Sequence, residues 1–233
     1  MRVLVGIDDT DMPGAKVGTA RLTRMIEDVL PGEVTLVGVV GHQLFRGVPA
    51  TSHNKTSCAI LDCPTDVSPK TILAIAVAHV EQHAARGSAA GIVVAAEVPA
   101  AVIKLGREAC WRELAQEDAR RAIEGLPVYG IGTGRGLIGA AAAVGLTAWG
   151  WAGRWLELGG LHRFGRIQQV SDLATGGIRV VSVEPSAGLP GPEDWVDTHD
   201  WLRPQLLGGQ AVLPVRSVGD GLWEAVGQKK RSP

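Results

Sequence analysis

Asp8, Asp9 and Asp11 fall within four positions, directly after the apolar run Arg2 to Ile7 (RVLVGI). Three carboxylates this close repel one another unless something positive sits among them. The usual solution is a hard divalent cation held by oxygen ligands, most often Mg²⁺ bridging to substrate phosphates. A solvated acidic turn in which Asp9 or Asp11 caps the next helix gives the same sequence. The motif alone leaves both open.

Two further groups carry chemistry. Gly134-Arg135-Gly136-Leu137-Ile138-Gly139 has GxGxxG spacing, follows a short strand and opens an alanine-rich helix. Backbone N–H groups at such a helix start, helped by the helix dipole, suit a phosphate. With 31 glycines in the chain the pattern can also arise by chance. As a dinucleotide fingerprint it lies far from the N-terminus. The acid at the matching distance, Glu157, sits in a tryptophan-rich segment rather than at a strand end. Arg135 suits a nucleotide's γ-phosphate better than a pyrophosphate. The third group is Thr51 to Ser57, where four hydroxyls join His53, Asn54 and Lys55 between two strands. An ordinary polar connection has this composition. Pro49 to Ser57 nevertheless exceeds a tight hairpin, and long polar loops at sheet edges often bind ligands. The six histidines are scattered without metal-ligand spacing, so no zinc site is expected. Trp149, Trp151 and Trp155 read as core or interface packing rather than base-stacking platforms.

The elements that must position these groups follow from apolar spacing. A strand over 2–7 is buried on both faces. A helix starts at Gly18-Thr19 with apolar residues at 22, 25, 26, 29 and 30, and Pro31-Gly32 ends it. Strands follow at 34–40 and 58–61, a helix at about 69–85 and a strand at 91–96. This strand, helix, strand, strand, helix, strand order matches the split βαβ arrangement of ferredoxin-like sheets. A helical region over about 100–124 and a short strand at 127–131 lead into the glycine-rich segment. Beyond about residue 150 the texture changes: five of seven tryptophans lie at or after 151, and β-prone runs appear at 178–184 and 210–216. The expected fold class is α/β (α+β), with one domain over 1–150 and a smaller α+β domain over 151–233.

Composition excludes several classes. The chain has 233 residues, 45% hydrophobic and 20% charged, with a net charge of −1. That balance argues against a protein that grips nucleic acid mainly through phosphates. The basic cluster Lys229-Lys230-Arg231 reads as a frayed tail. Cys58, Cys63 and Cys110 form no CxxC pair and read as buried small hydrophobes in a reducing compartment. No signal-type run and no apolar stretch of 18 residues occurs, so a cytoplasmic protein with no membrane segment is expected.

Three separated blocks resemble one family. MRVLVGIDDTD at 1–11, Gly-Thr at 18–19 and GRGLIGAAAAVG at 134–145 are similar to the archaeal isoleucine-tRNA 2-agmatinylcytidine synthetases. More diffuse likeness at Asp194-Trp195 and Ala211 to Val215 extends it over nearly the whole chain. The resemblance implies a kinase-like α/β domain with ferredoxin-like elements over 1–150, binding ATP and Mg²⁺, and a smaller ferredoxin-like α+β unit after it. That family phosphorylates a threonine near the acidic loop and activates a tRNA cytidine by phosphorylation before agmatine displaces the phosphate. Position by position, Asp8, Asp9 and Asp11 resemble the metal and phosphate site, with Asp9 also catalytic. Thr19 resembles the phosphoacceptor. Gly134, Arg135, Gly136 and Gly139 resemble a loop contacting nucleotide phosphates. The family's OB-fold and zinc-ribbon domains have no counterpart here. Thr51 to Ser57 replaces an arginine-containing loop, so His53, Asn54 and Lys55 are expected to face the acceptor, Asn54 near the nucleotide.

The resulting expectation is an ATP- and Mg²⁺-dependent phosphotransferase- or synthetase-like protein acting on a small molecule, a homo-oligomer being compatible with the sequence. The alternatives are a tRNA-modifying enzyme with a partner subunit and a non-catalytic nucleotide sensor. A dinucleotide-binding oxidoreductase ranks last.

Overall fold

The computed structural model describes residues 1–48 and 54–227. His53 and the 229–231 cluster therefore lie outside the described residues. The chain divides into two compact units, Met1–Trp149 and Gly150–Pro233.

Unit 1 runs β1 (Arg2–Asp8), α1 (Thr19–Arg24), β2 (Thr35–Gln43), β3 (Lys55–Asp62), α2 (Pro69–His83), β4 (Gly91–Ala95), α3 (Ala100–Ala109), α4 (Gln116–Ala122), β5 (Val128–Gly130) and α5 (Gly136–Trp149). Its strands lie in the order β5-β4-β1-β3-β2, with every neighbouring pair antiparallel. β3 thus sits between β1 and β2, and β1 between β3 and β4, which is the interleaved split βαβ order. The helix expected over 18–30 ends as an α-helix at Arg24 and tightens into a 3₁₀ turn over Met25–Val29. The helical region over 100–124 is two helices. Asp118 accepts the Ala115 N–H at 3.2 Å, starting α4 afresh.

Pairing register decides which side chains meet which helices. Gly6 pairs with Cys58 and Ile7 with Ser57, and paired residues face the same side. On one side lie Gly6, Asp8, Thr56 and His42, all against α5: Thr56 donates to Gly139 O and His42 Nε2 lies 2.8 Å from Thr147 Oγ1. On the other lies Ser57, against Thr23 of α1. Helices thus cover both faces, which explains why β1 is buried on both.

α5 is buried nearly all round, between the sheet and α3 and α4. Such a position admits only small residues where backbones touch. A Cβ built on Gly6 would lie 2.1 Å from Ala140 O, one on Gly145 2.1 Å from Val102 O, and one on Gly91 2.2 Å from Leu137 N. The alanine-rich helix is therefore the packing centre of the unit.

Unit 2 runs β6 (Arg154–Leu158), β7 (Ile167–Gln169), α6 (Val170–Thr175), β8 (Ile178–Ser182), β9 (Trp195–Asp197), β10 (Gln205–Leu207), β11 (Gln210–Gly219) and β12 (Leu222–Ala225). Its strands lie in the order β6-β10-β11-β12-β9-β7, with β8 parallel to β11. The βαββαβ order belongs to unit 1; among its described residues unit 2 holds one six-residue α-helix and two 3₁₀ turns with seven strands. The tryptophans divide. Trp155 is buried and Trp149 takes Arg107 over its ring at 5.0 Å, but Trp151 is 58% exposed and is not core. Cys58 and Cys63 are buried and all three cysteines are free; burial pushes the Cys58 thiol up to about 12. No helix among the described residues is long and apolar enough to cross a membrane.

The close backbone approach of β1 to α5 gives a paired test. Gly6→Ala forces a methyl into a carbonyl and should cost about 1–3 kcal/mol of stability in urea unfolding. Gly32→Ala, with nothing within 4 Å of its Cβ, should stay within about 0.5 kcal/mol of the parent.

Candidate functional site

The acidic turn leaves the end of β1 and lies on the N-terminal part of α5. A Cβ built on Gly139 would lie 1.8 Å from Asp8 Oδ2, and one on Gly136 2.8 Å from Asp8 O. These two glycines let the helix carry the Asp8 residue directly on its surface. Asp9 has φ 53°, a left-handed conformation that Asp tolerates better than most side chains. Asp11 lies against the start of α1: a Cβ on Gly18 would be 3.2 Å from its Oδ2, where the positive end of the helix favours an anion.

Desolvation pushes the Asp8 carboxyl well above the usual carboxylate range, and the charges of Asp9 and Asp11 push it further. A backbone N–H of Asp9 and the Thr56 hydroxyl oppose this by bonding the charged form. Asp9 is also raised by desolvation and by Asp11, against the pull of the Arg135 charge. Two carboxylates held up by burial and by neighbouring negative charge would be relieved by a cation. Among the described residues, however, no three His, Cys, Asp or Glu side chains form a group able to hold a metal ion. Asp8 is turned towards Thr56 and α5 rather than joining a three-carboxylate cage. The remaining donor set, Asp9 and Asp11, fits Mg²⁺, which commonly takes one or two carboxylates plus phosphate oxygens and water.

The glycine-rich segment differs from the expected phosphate cradle. Gly136 N–H donates to Ala89 O, Leu137 N–H to Gly134 O and Ile138 N–H to Arg135 O, at 2.9–3.1 Å. The first three amides of α5 are thus already bonded. Gly134, with φ +68°, makes the turn, and Gly136 and Gly139 serve close packing. The Arg135 side chain is exposed and open to a phosphate.

Thr56 and Ser57 were expected in a polar loop, but both are buried strand residues because β3 begins at Lys55. Lys55 is exposed, paired with Gln43. Asn54, with φ 44°, donates from Nδ2 to Phe45 O at 2.6 Å, and its carbonyl accepts the Leu44 N–H and Gln43 Nε2. Its amide therefore holds the loop's shape. Thr19 is buried, and its Oγ1 accepts from both the N–H and the hydroxyl of Thr10. Sequence reasoning missed Thr10 and Thr56, whose only signal was position: one lies inside the acidic motif, the other across the sheet from it. Glu157 is settled differently. Its Oε1 accepts three N–H groups, from Leu158, Gly160 and Leu161, so it closes a turn and is no ribose ligand.

The Asp8 environment fixes the sign of a pH effect. A carboxyl raised in the folded state binds protons the unfolded chain has lost, so stability falls as pH rises from about 4 through the folded value. Asp8→Asn removes that penalty. In chelator-treated buffer it should raise the urea midpoint at pH 7, and the gain should vanish near pH 4. An unchanged midpoint at pH 7 would show that the carboxyl is not desolvated.

No family model and no curated protein matches the chain. Solved structures do. A tRNA fluorescent labeling enzyme matches with 27% identity and a TM-score of 0.56, and a complex of TiaS with its tRNA and ATP with 26% and 0.55. A complex of TiaS with tRNA, AMPCPP and agmatine matches with 25% and 0.53. Each match covers 62% of this chain and 36% of the other. The likeness is thus less extended than the sequence blocks implied, and the chain spans about a third of the matched structures. In structure the chain is similar to part of TiaS, the agmatidine synthetase of an isoleucine tRNA.

Proposed function

We propose that this chain is an ATP- and Mg²⁺-dependent phosphotransferase- or synthetase-like protein, with unit 1 as its kinase-like, nucleotide-binding domain. The observation that carries this is the acidic turn packed directly on the glycine-rich start of α5, with Arg135 acting on Asp9. Similarity to structures that hold ATP and AMPCPP supports it. Bound Mg²⁺ would neutralise the phosphate tail and the charge that builds during transfer. In this reading Asp9 and Asp11 hold that cation, and Asp8, fixed by Thr56 and the bare Gly139, shapes the turn that aims them. Arg135 binds phosphate oxygens through its guanidinium rather than through the loop's amides. Phosphoryl transfer needs mainly positioning and charge neutralisation, which this set supplies. Lys55, exposed at the start of β3, lines the approach of the acceptor, and His53 and Asn54 precede it in the sequence. Thr19 can take a phosphoryl group only once both Thr10 donors let go.

The acceptor in this reading is a small molecule, because a net charge of −1 gives little phosphate affinity. A tRNA acceptor is the second reading. It is favoured by the tRNA in the matched TiaS complex, and it would need further domains or a partner.

Calorimetry with ATP should show binding that requires Mg²⁺. Asp9→Asn and Arg135→Ala should each weaken it about tenfold, near 1.4 kcal/mol, with the fold unchanged by circular dichroism. Equal or absent heats with and without Mg²⁺ would end this reading. Turnover that persists in Asp9→Asn would mean the site is misassigned, and binding with no turnover on cell-extract metabolites would leave a sensor. A gel shift with total tRNA near physiological salt separates the acceptors: the small-molecule reading expects none, and submicromolar binding would put tRNA first.

A further inference from the structure

Thr10 stands inside the acidic motif, yet it is fully buried. It turns inward and donates twice to one atom, from N–H at 3.4 Å and from its hydroxyl at 3.0 Å, both to Thr19 Oγ1. Behind Thr19 the hydroxyl series continues. Thr23 Oγ1 donates to Thr19 O at 2.9 Å and lies 2.7 Å from Ser57 Oγ on β3. With the Thr23 proton on that carbonyl, Ser57 is the donor between the two.

Local sequence does not explain how α1 is held. The helix has six residues, its N-cap Gly18 offers no side-chain cap, and no acidic residue stands in its first turn. So short a helix is marginal alone. Its attachments include Ser57 through Thr23 on the sheet side, Thr10 on the loop side, the buried Leu22 side chain, and His79 Nε2 of α2, 2.8 Å from Leu22 O. The chemistry at Thr19 Oγ1 points the same way. A hydroxyl oxygen accepts about two hydrogen bonds, and Thr10 supplies both. A nucleophilic hydroxyl needs a base that takes its proton; this oxygen instead meets two donors.

We infer that the Thr10–Thr19 hydroxyl pair is a latch that holds the Asp9–Asp11 turn on the first turn of α1. Thr10 and Thr19 are then positioning residues. Its consequence for nucleotide binding rests on the reading proposed above, but the latch itself does not.

Hydrogen exchange on the full chain without nucleotide tests it, read at the Thr10 amide by NMR. Thr19→Val keeps the shape and removes the acceptor; it should speed Thr10 exchange by about five- to tenfold, the scale of one lost hydrogen bond. Thr19→Ser should restore the rate to within about twofold, since one hydroxyl acceptor suffices. Thr23→Val removes the bonds to Thr19 O and Ser57 but leaves the Thr10–Thr19 pair intact; it should lower the thermal midpoint and leave Thr10 exchange unchanged. Thr10→Val, which keeps its N–H, serves if Thr19→Val does not fold, and should give a smaller acceleration, restored by Thr10→Ser. Unchanged Thr10 exchange in Thr19→Val and Thr10→Val would overturn the latch, as would equal acceleration in Thr23→Val, which signals general loosening. Calorimetry on the same proteins separates the two proposals. If the parent binds no ATP with Mg²⁺, the phosphotransferase reading falls while the exchange result stands. If it binds, Thr19→Val should weaken ATP several-fold and Thr19→Ser should recover it.

Discussion

The contact between β1 and α5 is the constraint on which unit 1 depends. Strand and helix touch backbone to backbone because Gly6 and Gly136 leave no side chain between them, and Gly139 leaves room for the Asp8 carboxyl. Two consequences follow from that contact. The helix becomes the centre of the core, and the residue after Ile7 emerges with its carboxyl pressed on the helix. The acidic turn is therefore not an appendage on a loop. It is fixed to the most buried helix of the unit, while the half-buried Asp9 and Asp11 follow one and three residues later.

This geometry also explains which glycines do what. GxGxxG suggested amides cradling phosphate, but the same spacing serves a helix that must lie flat against Gly91, Ala89 and Asp8. Sequence could not separate the two demands, because both require the absence of a Cβ. Only the partners of the N–H groups separate them: Ala89 O just before β4, more than forty residues earlier, and the local carbonyls of Gly134 and Arg135. The arginine within the pattern is what distinguishes this segment from pure packing. It is exposed and its charge acts on Asp9.

Local and periodic features were legible. The alternation of elements over the first hundred residues follows from apolar spacing and from Pro-Gly punctuation, and the strand pairing agrees with the split βαβ order. The breaks inside helical regions were not. Leu22 and Ile26 keep helical spacing through a 3₁₀ turn, and α4 restarts on an Asp118 cap within a continuous helical pattern. Within the site, the carboxylates stood out by their density. Their helpers did not, because Thr10, Thr56 and Ser57 act through register and burial. A threonine in a polar run looks the same whether it faces water or a buried carbonyl. Trp151 failed for the opposite reason: a large aromatic side chain was assigned to packing by type, and it is exposed.

The electrostatics of the turn set a balance between stability and use. Asp8 is held in a desolvated place beside two like charges, which costs folding free energy whenever it is ionised. Thr56 and the Asp9 N–H offset part of that cost, and Arg135 offsets part of it at Asp9. A neutral residue at position 8 would satisfy the core better. The chain nonetheless carries a carboxyl there, with a glycine cleared for it. Local strain of this kind is concentrated where a protein must meet a ligand of the opposite sign. In the reading proposed above, Asp9 and Asp11 of this turn would take a cation, and Arg135 the anion that arrives with it.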